Sequence, residues 1–307
     1  MTIRAKLYLS LIAIVILPGL VLGLINIRSS EKALKKSISS RIQNVAIQGA
    51  NSIETVFYER LSEARGLALN PSLIEAVKLS NKSFSGVEPE KIKSRIDKID
   101  NIWIKEGQNS KIARQIHSNP ISEFLKKYSR IDPEKYGEIF ITNAFGTNIG
   151  CTKILSDYFQ ADEDWWQQAF NNGKGEIFID DRGYDESIKT LVTGIVVPIM
   201  DNGSAIGILK INFKIDQVIE LVSTDDQSKT NIVSLVRSLG SLIVSSDKNR
   251  DGLSELELKV MKTNEGSGWI TDFHQNSEMI IGFSPVNLKI NTRVPTIGVM
   301  LRVGLTL

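Results

Sequence analysis

Residues 156–170 read "SDYFQADEDWWQQAF", two adjacent tryptophans behind a cluster of acids, in a chain with only four tryptophans. Nine acids fall between Asp157 and Glu186 (Asp157, Asp162, Glu163, Asp164, Glu176, Asp180, Asp181, Asp185 and Glu186). They face only Lys174 and Arg182, a local balance of −7 inside a chain whose formal charge is +2. Aromatic faces and carboxylates both favour positive charge, so as chemistry the segment suits a cationic ligand. A calcium ion takes the same hard oxygen donors. Read without chemistry, the acids form a solvated rim and one tryptophan is core. Neighbours on a helix differ by about 100° in direction, so Trp165 and Trp166 cannot both face one spot. One is expected to pack and the other to wall a pocket.

Other chemistry is sparse. Cys151 is the only cysteine, which excludes an internal disulfide framework and a cysteine-cluster metal site. With only His117 and His274, a zinc site of the usual kind is not expected. "DKNRDGLSELEL" at 247–258 opens like a calcium loop, but its twelfth position is Leu258, with Glu257 one place early. Lys248 and Arg250 oppose a cation there. The stretch reads as a polar turn before a helix. No nucleophile elbow, phosphate loop or metalloprotease pair occurs. Paired carboxylates for glycoside hydrolysis would rest on the abundance of acids alone. No enzyme, cofactor or resident metal is expected. The small net charge gives no case for nucleic acid.

The elements that must position the tryptophans begin with a charge-free run, Leu7 to Asn26, "LYLSLIAIVILPGLVLGLIN". Twenty such residues span a bilayer core of roughly 30 Å as a helix. The expected transmembrane helix is 7–27, with 1–6 cytoplasmic. A cleaved signal peptide is the alternative, with Arg4 and Lys6 as its charged start. The apolar run passes without a break into a helical pattern, which favours a retained anchor. A long amphipathic helix is read over 28–79. Ile38, Ile42, Val45, Gly49, Ser52 and Val56 step by four and three, which reads either as the seam of a coiled coil with a partner subunit or as the face of one amphipathic helix packed on its own domain. Ile53, Phe57 and Leu61 make a second row toward the chain's own domain. Asn70 before Pro71 is a break. More helix follows up to about residue 134.

From Tyr136 the character changes. "GEIFITNAFGTNIGCT" reads as strand, turn and strand, followed by the tryptophan helix and then by the strands of "GEIFIDD", "TLVTGIVVPIM" and "AIGILKINF". The order recurs in "NIVSLVRSLGSLIVSSD", the helix "GLSELELKVMKT", the hairpin "GSGWITDFHQNSEMIIGFSPV" and the strand "TIGVMLRVGL". The fold class is α+β. An N-terminal transmembrane helix and a long amphipathic helix lead into two tandem PAS-like lobes, each an antiparallel sheet with flanking helices. The lobes are assigned to 80–216, membrane-distal, and 217–307, membrane-proximal.

This arrangement resembles the double Cache extracytoplasmic sensor domains of bacterial transmembrane receptors. "FITNAFGTNIGCTKILSDYFQADEDWWQQAF", "DDRGYDES", "VVPIMDNGSAIGILKI" and "LVRSLGSLIVSSD" resemble the subfamily found on sensor histidine kinases and related signalling proteins. The resemblance implies a ligand-sensing input module in the bacterial inner membrane, homodimeric in the full receptor. It also implies a small-molecule pocket between helix and sheet in the distal lobe. In the amino-acid-binding branch an arginine stands two residues before the first aromatic of the pair. Here that position is Glu163. An aspartate that holds the ligand ammonium falls near Asn212. Both departures argue against an ordinary α-amino acid. The resulting candidate ligand-binding residues are Trp165, Trp166, Tyr184, Asp181, Asp185, Glu163, Asn212 and Tyr158, with Trp165 as the pocket wall. No kinase, cyclase or methyl-accepting signature is present. A tethered structural or adhesion module without a small ligand is the alternative, and ligand-induced thermal stabilisation separates the two.

Overall fold

The computed structural model describes residues 3–185, 190–214, 231–237, 240–247, 252–263, 266–274, 277–288 and 297–304. Side chains at 4–11, 13, 15, 181–185, 190–191, 231, 244, 263, 274, 277 and 297–304 are outside that description. Helix α1 runs unbroken from Ile3 to Ala68. It ends where the sequence puts Asn70 before Pro71. Asn70 is extended (φ −63°, ψ 121°), as a residue before proline must be, and its Oδ1 accepts the Ser72 N–H at 2.9 Å. That cap starts α2 (Pro71–Lys82), with Pro71 at a first-turn position that needs no N–H. Helices α3 (Pro89–Glu106), α4 (Lys111–His117) and α5 (Pro120–Ser129) follow. Asn119 caps α5 by accepting the Ser122 N–H at 2.8 Å.

The first sheet contains β1 (Tyr136–Asn143), β2 (Asn148–Cys151), β3 (Phe178–Asp185), β4 (Thr190–Asp201) and β5 (Ser204–Lys214), with α6 (Asp164–Phe170) between β2 and β3. Its order is β2-β1-β5-β4-β3. The second sheet contains β6 (Asn231–Arg237), β7 (Leu242–Ser245), β8 (Gly268–His274), β9 (Ser277–Val286) and β10 (Ile297–Gly304), with α7 (Glu255–Thr263) between β7 and β8. Its order, β7-β6-β10-β9-β8, is the first sheet's order over again. Each neighbouring pair within both sheets is antiparallel. The α+β reading with two similar lobes is therefore realised.

Helix α1 forms part of the core of both lobes. Ile42, Ala46, Ala50 and Ile53 pack on Val233, Leu235, Ile243 and Ile280 of the second sheet. Gly282 allows the closest approach, because a Cβ there would lie 2.7 Å from the Ile42 carbonyl oxygen. One stretch further on, Leu61, Ala64, Leu67 and Ala68 join Ile139, Ile141, Ile195 and Leu209 of the first sheet. The seam expected to meet a partner subunit is thus largely turned inward. Ile42 and Gly49 are buried, and Ile38 and Val45 pack against the chain's own second sheet. A four-three stripe marks one apolar helix face and cannot say whether a helix or a sheet covers it. Arg60, Phe57, Phe213, Ile53, Leu235 and Ile243 line a cavity of ≈ 40 Å³ where α1 passes between the sheets.

The run expected to cross a membrane is the first part of α1. Described side chains from Leu17 to Ile27 are mostly exposed, among them Leu20, Leu22, Leu24 and Ile25. Among the described residues no helix is long and apolar enough to cross a membrane. The side chains of 7–11, 13 and 15, within the apolar run, lie outside that description.

The "DKNRDGLSELEL" stretch ends in a helix start. Ser254 Oγ accepts the Glu257 N–H at 3.2 Å and Glu257 Oε2 accepts the Ser254 N–H at 2.7 Å. This reciprocal cap commits Glu257 to α7. Residues 248–251 of the stretch lie outside the described residues.

Candidate functional site: a polar row across the distal sheet

The two faces of the first sheet are chemically different. Odd positions of β1, β4 and β5, such as Ile139, Ile195 and Leu209, face α1, α2 and α5. Even positions face α6, where Phe140, Val196 and Ile208 pack with Trp165, Trp166, Leu155 and Ala169. Along this second face the register aligns Glu138 on β1, Asn212 on β5, Gly194 on β4 and Asp180 on β3. The next row is Phe140, Lys210, Val196 and Phe178. A buried polar row thus runs beside an apolar one, and Lys210 bridges the two.

Lys210 Nζ is ion-paired with Asp180 Oδ2, with the side chains only 5% and 11% exposed. The ammonium also stands 4.1 Å from the Trp165 ring centroid and 5.9 Å from that of Phe140. Such contacts favour a cation, more so away from water. Gly194 makes the cluster fit. A Cβ there would lie 3.0 Å from Asn212 Oδ1, Asp180 Cβ and Lys210 Cε. Asn212 and Glu138 are themselves buried. Burying a lysine and two carboxylic side chains is costly and rarely adds stability, so such a group suits a task other than holding the fold together. Cys151 borders the row, and burial pushes its thiol up to about 12, which keeps it a neutral packing group.

The tryptophans differ in their partners. Trp166 donates its Nε1–H to Thr142 Oγ1 at 2.8 Å and stacks on Phe170 at 4.6 Å. Trp165 meets Phe140 edge-on at 5.7 Å and carries Lys210 on its face. Both are buried, at 3% and 6% exposure, in one cluster. Trp165 thus touches a charged group of the row.

The remaining candidates are dispersed. Asn212 lies in the row. Glu163 stands just before α6, and its carbonyl accepts the N–H groups of Trp166 and Gln167. Tyr158 packs in a separate cluster with Trp103 and Ala113, its ring 5.7 Å from that of Trp103. The backbone of Tyr184, Asp181 and Asp185 is in β3, where Tyr184 pairs with Leu191, but their side chains lie outside the described residues. The acids do not act as one group. Asp180 is tied to Lys210. Asp157 is held up to about 6 by burial and by Asp100, whose Oδ1 accepts the Tyr158 and Phe159 N–H groups. Among the described residues no group of three His, Cys, Asp or Glu side chains could hold a metal ion.

Sequence reasoning missed Lys210, Glu138, Gly194 and the role of Asp180. The signal was present in "AIGILKINF". Alternation puts Lys210 and Asn212 on one face of a strand that is otherwise apolar, which is unusual for a lysine.

Compared by sequence, the chain matches no family model and no curated protein. Compared by structure, it is similar to the extracellular domain of the putative histidine kinase rpHK1S-Z16. That likeness has a TM-score of 0.59 and 13% identity over 89% of this chain and 96% of that one. It is similar also to the ligand-binding domain of the Campylobacter jejuni chemoreceptor Tlp3 in complex with L-norvaline (TM-score 0.57, 14% identity, 89% and 92% covered). A third likeness is to the ligand-binding domain of the Pseudomonas aeruginosa PAO1 amino acid chemoreceptor PctB in complex with L-Arg (TM-score 0.51, 15% identity, 88% and 96% covered). At these identities what is shared is the fold.

Proposed function

We propose that the chain is the extracytoplasmic ligand-sensing input module of a bacterial transmembrane receptor. On this reading residues 7–27 cross the inner membrane, and the ligand is a small zwitterion held at the polar row of the distal lobe. The buried Lys210–Asp180 pair carries this reading. A ligand bearing both charges can enter that pair, its carboxylate toward Lys210 and its ammonium toward Asp180 and Glu138, without changing the net buried charge. A purely cationic ligand could pair with Glu138 but would compete with Lys210 for Asp180, whereas the carboxylate of a zwitterion gives Lys210 a partner of its own. The preference for a cation read from the acid count is therefore replaced. Two of the structurally similar domains are described with an amino acid bound, which supports the same ligand class.

On this reading α1 is the route from the row to the membrane. The second lobe packs on the part of α1 nearest the apolar run, and the first lobe packs further along it. Strand β10 ends beside the start of β9, with Gly304 paired to Met279, at the same end from which α1 arrives. Ligand binding would bias two arrangements of lobe and helix by its differential affinity for them. In the homodimer the exposed row Ser37, Asn44, Gln48, Asn51 and Thr55 would face the partner. Cysteine at Asn44 or Gln48 should crosslink in membranes, while cysteine at the buried Ile42 should not.

A thermal-shift screen of the full chain tests the ligand class. Amino acids and ω-amino acids should raise the melting temperature, whereas simple amines and simple carboxylates should not. Stabilisation by amines alone would restore the cationic reading, and no response from any class would favour a structural module.

A further inference from the structure

The second lobe presents aromatic side chains where the membrane-tether reading puts the lipid headgroups. Trp269 is 40% and Phe273 72% exposed, both on β8, an edge strand of its sheet. Trp269 pairs with Gly282 and Phe273 with Glu278, and partners in register point to the same side. Gly282 abuts Ile42, and Glu278 is ion-paired with Lys35, so Trp269 and Phe273 project on the α1 side of the sheet. The direction of β9 is also fixed. Glu278 meets Lys35, Gly282 meets Ile42, and the Asn287 N–H reaches Glu54 Oε1. Strand β9 therefore runs parallel to α1, and the end of the hairpin where His274 pairs with Ser277 points back toward the apolar run.

The spacing follows from helix geometry. Lys35 is eight residues beyond Ile27, about 12 Å along the axis. The headgroup layer extends roughly 5–8 Å beyond the hydrocarbon. An aromatic ring leaning toward the helix start covers much of the difference, and a helix tilt of about 20° lowers one flank further. From Ile27 to the level of this hairpin and one residue beyond, α1 carries Arg28, Lys32 and Lys36, all exposed, against one acid, Glu31, while Lys35 is paired with Glu278. Aromatic rings beside a basic turn match an anionic lipid surface. Two copies of the chain meeting through this patch would bring like charges together.

We propose that the end of β8 at Phe273 and the adjoining turn of α1 rest on the anionic headgroup layer, with Phe273 as the main aromatic contact. This rests on the reading that residues 7–27 cross the membrane. The contact would fix the height and tilt of the second lobe against the bilayer, so that movements of α1 are referred to the lipid surface.

The test uses the full chain in nanodiscs, with and without phosphatidylglycerol. Fluorophores are placed at Phe273→Cys, at the exposed distal position Lys105→Cys and at Ile14→Cys in the apolar run; Cys151 is buried and does not compete. Headgroup-nitroxide lipid should quench the Phe273 position several-fold more than the Lys105 position, and more strongly with phosphatidylglycerol. Replacing Arg28, Lys32 and Lys36 with Gln should remove that lipid dependence. Quenching of Ile14 by acyl-chain nitroxide, with equal weak quenching at 273 and 105, would overturn the surface contact and leave the tether standing. No quenching at Ile14 would overturn both. Efficient crosslinking between two Phe273→Cys chains without headgroup quenching would assign the face to a second copy and overturn the lipid contact.

Discussion

Lys210 and Asp180 depend on each other. Breaking a buried ion pair from one side leaves an uncompensated charge, which costs about 3–5 kcal/mol, whereas replacing both partners by apolar groups is often near neutral. Asp180→Asn and Lys210→Met should each lower the unfolding free energy by about 3 kcal/mol in denaturant titrations. The double variant Lys210→Met/Asp180→Leu should recover most of that loss. A double variant as unstable as the sum of the singles would mean that the pair holds the sheet together. Asp157 makes a second prediction. Burial and the Asp100 carboxylate hold its pKa up to about 6, above the ordinary 3.8. The folded chain then binds that proton more tightly than the unfolded chain between those values. The stability it supports is full at low pH and is lost as pH rises through 6. Asp157→Asn should flatten that part of the melting-temperature profile and raise the melting temperature at pH 7. An unchanged profile would mean that Asp157 is solvated. At this scale the sequence was only half legible. Its acids were countable, but the partner of each depends on strand register. Asp180 and Lys210 are thirty residues apart and meet through β4, which lies between them in the sheet.

At the scale of elements, α1 is joined to the distal lobe at Glu63. Its carboxylate accepts hydrogen bonds from the Tyr128 hydroxyl at 2.9 Å and from the Tyr136 hydroxyl, and is ion-paired with Lys135. Arg60 is more distant, at 3.9 Å. Burial and Glu63 push both tyrosines up, Tyr128 to about 12, so each stays a donor at any working pH. Tyr136 leans on Phe213, which lines the cavity between the lobes. Glu63→Ala should therefore lower stability by about 3 kcal/mol, since hydrogen bonds to a charged group are worth roughly 1.5–3 each. Tyr136→Phe should cost about 1–2 kcal/mol. It should also uncouple ligand binding from crosslinking at Asn44. If Glu63→Ala melts like the wild type, this joint is not what ties helix to lobe. The element pattern itself was readable, because strands alternate, turns carry glycine, and Asn-Pro breaks the helix. What covered the α1 stripe was not readable, because a sheet and a helix satisfy the same apolar face.

The whole molecule places one sheet near the apolar end of α1 and one further along it, with the same strand order in both. That repetition was visible as a recurring order of strand, turn, strand and helix. The polar row lies in the first lobe, on the face of its sheet away from α1. A signal must therefore cross the sheet to reach the helix. On the proposed function, a zwitterion binds at the polar row. Isothermal titration of the full chain with the best amino acid or ω-amino acid from the thermal screen tests it most directly, run beside the Lys210→Met/Asp180→Leu variant. The wild type should bind saturably at one to one, and the folded double variant should not bind. Equal affinity in both would contradict this and move the ligand away from the row.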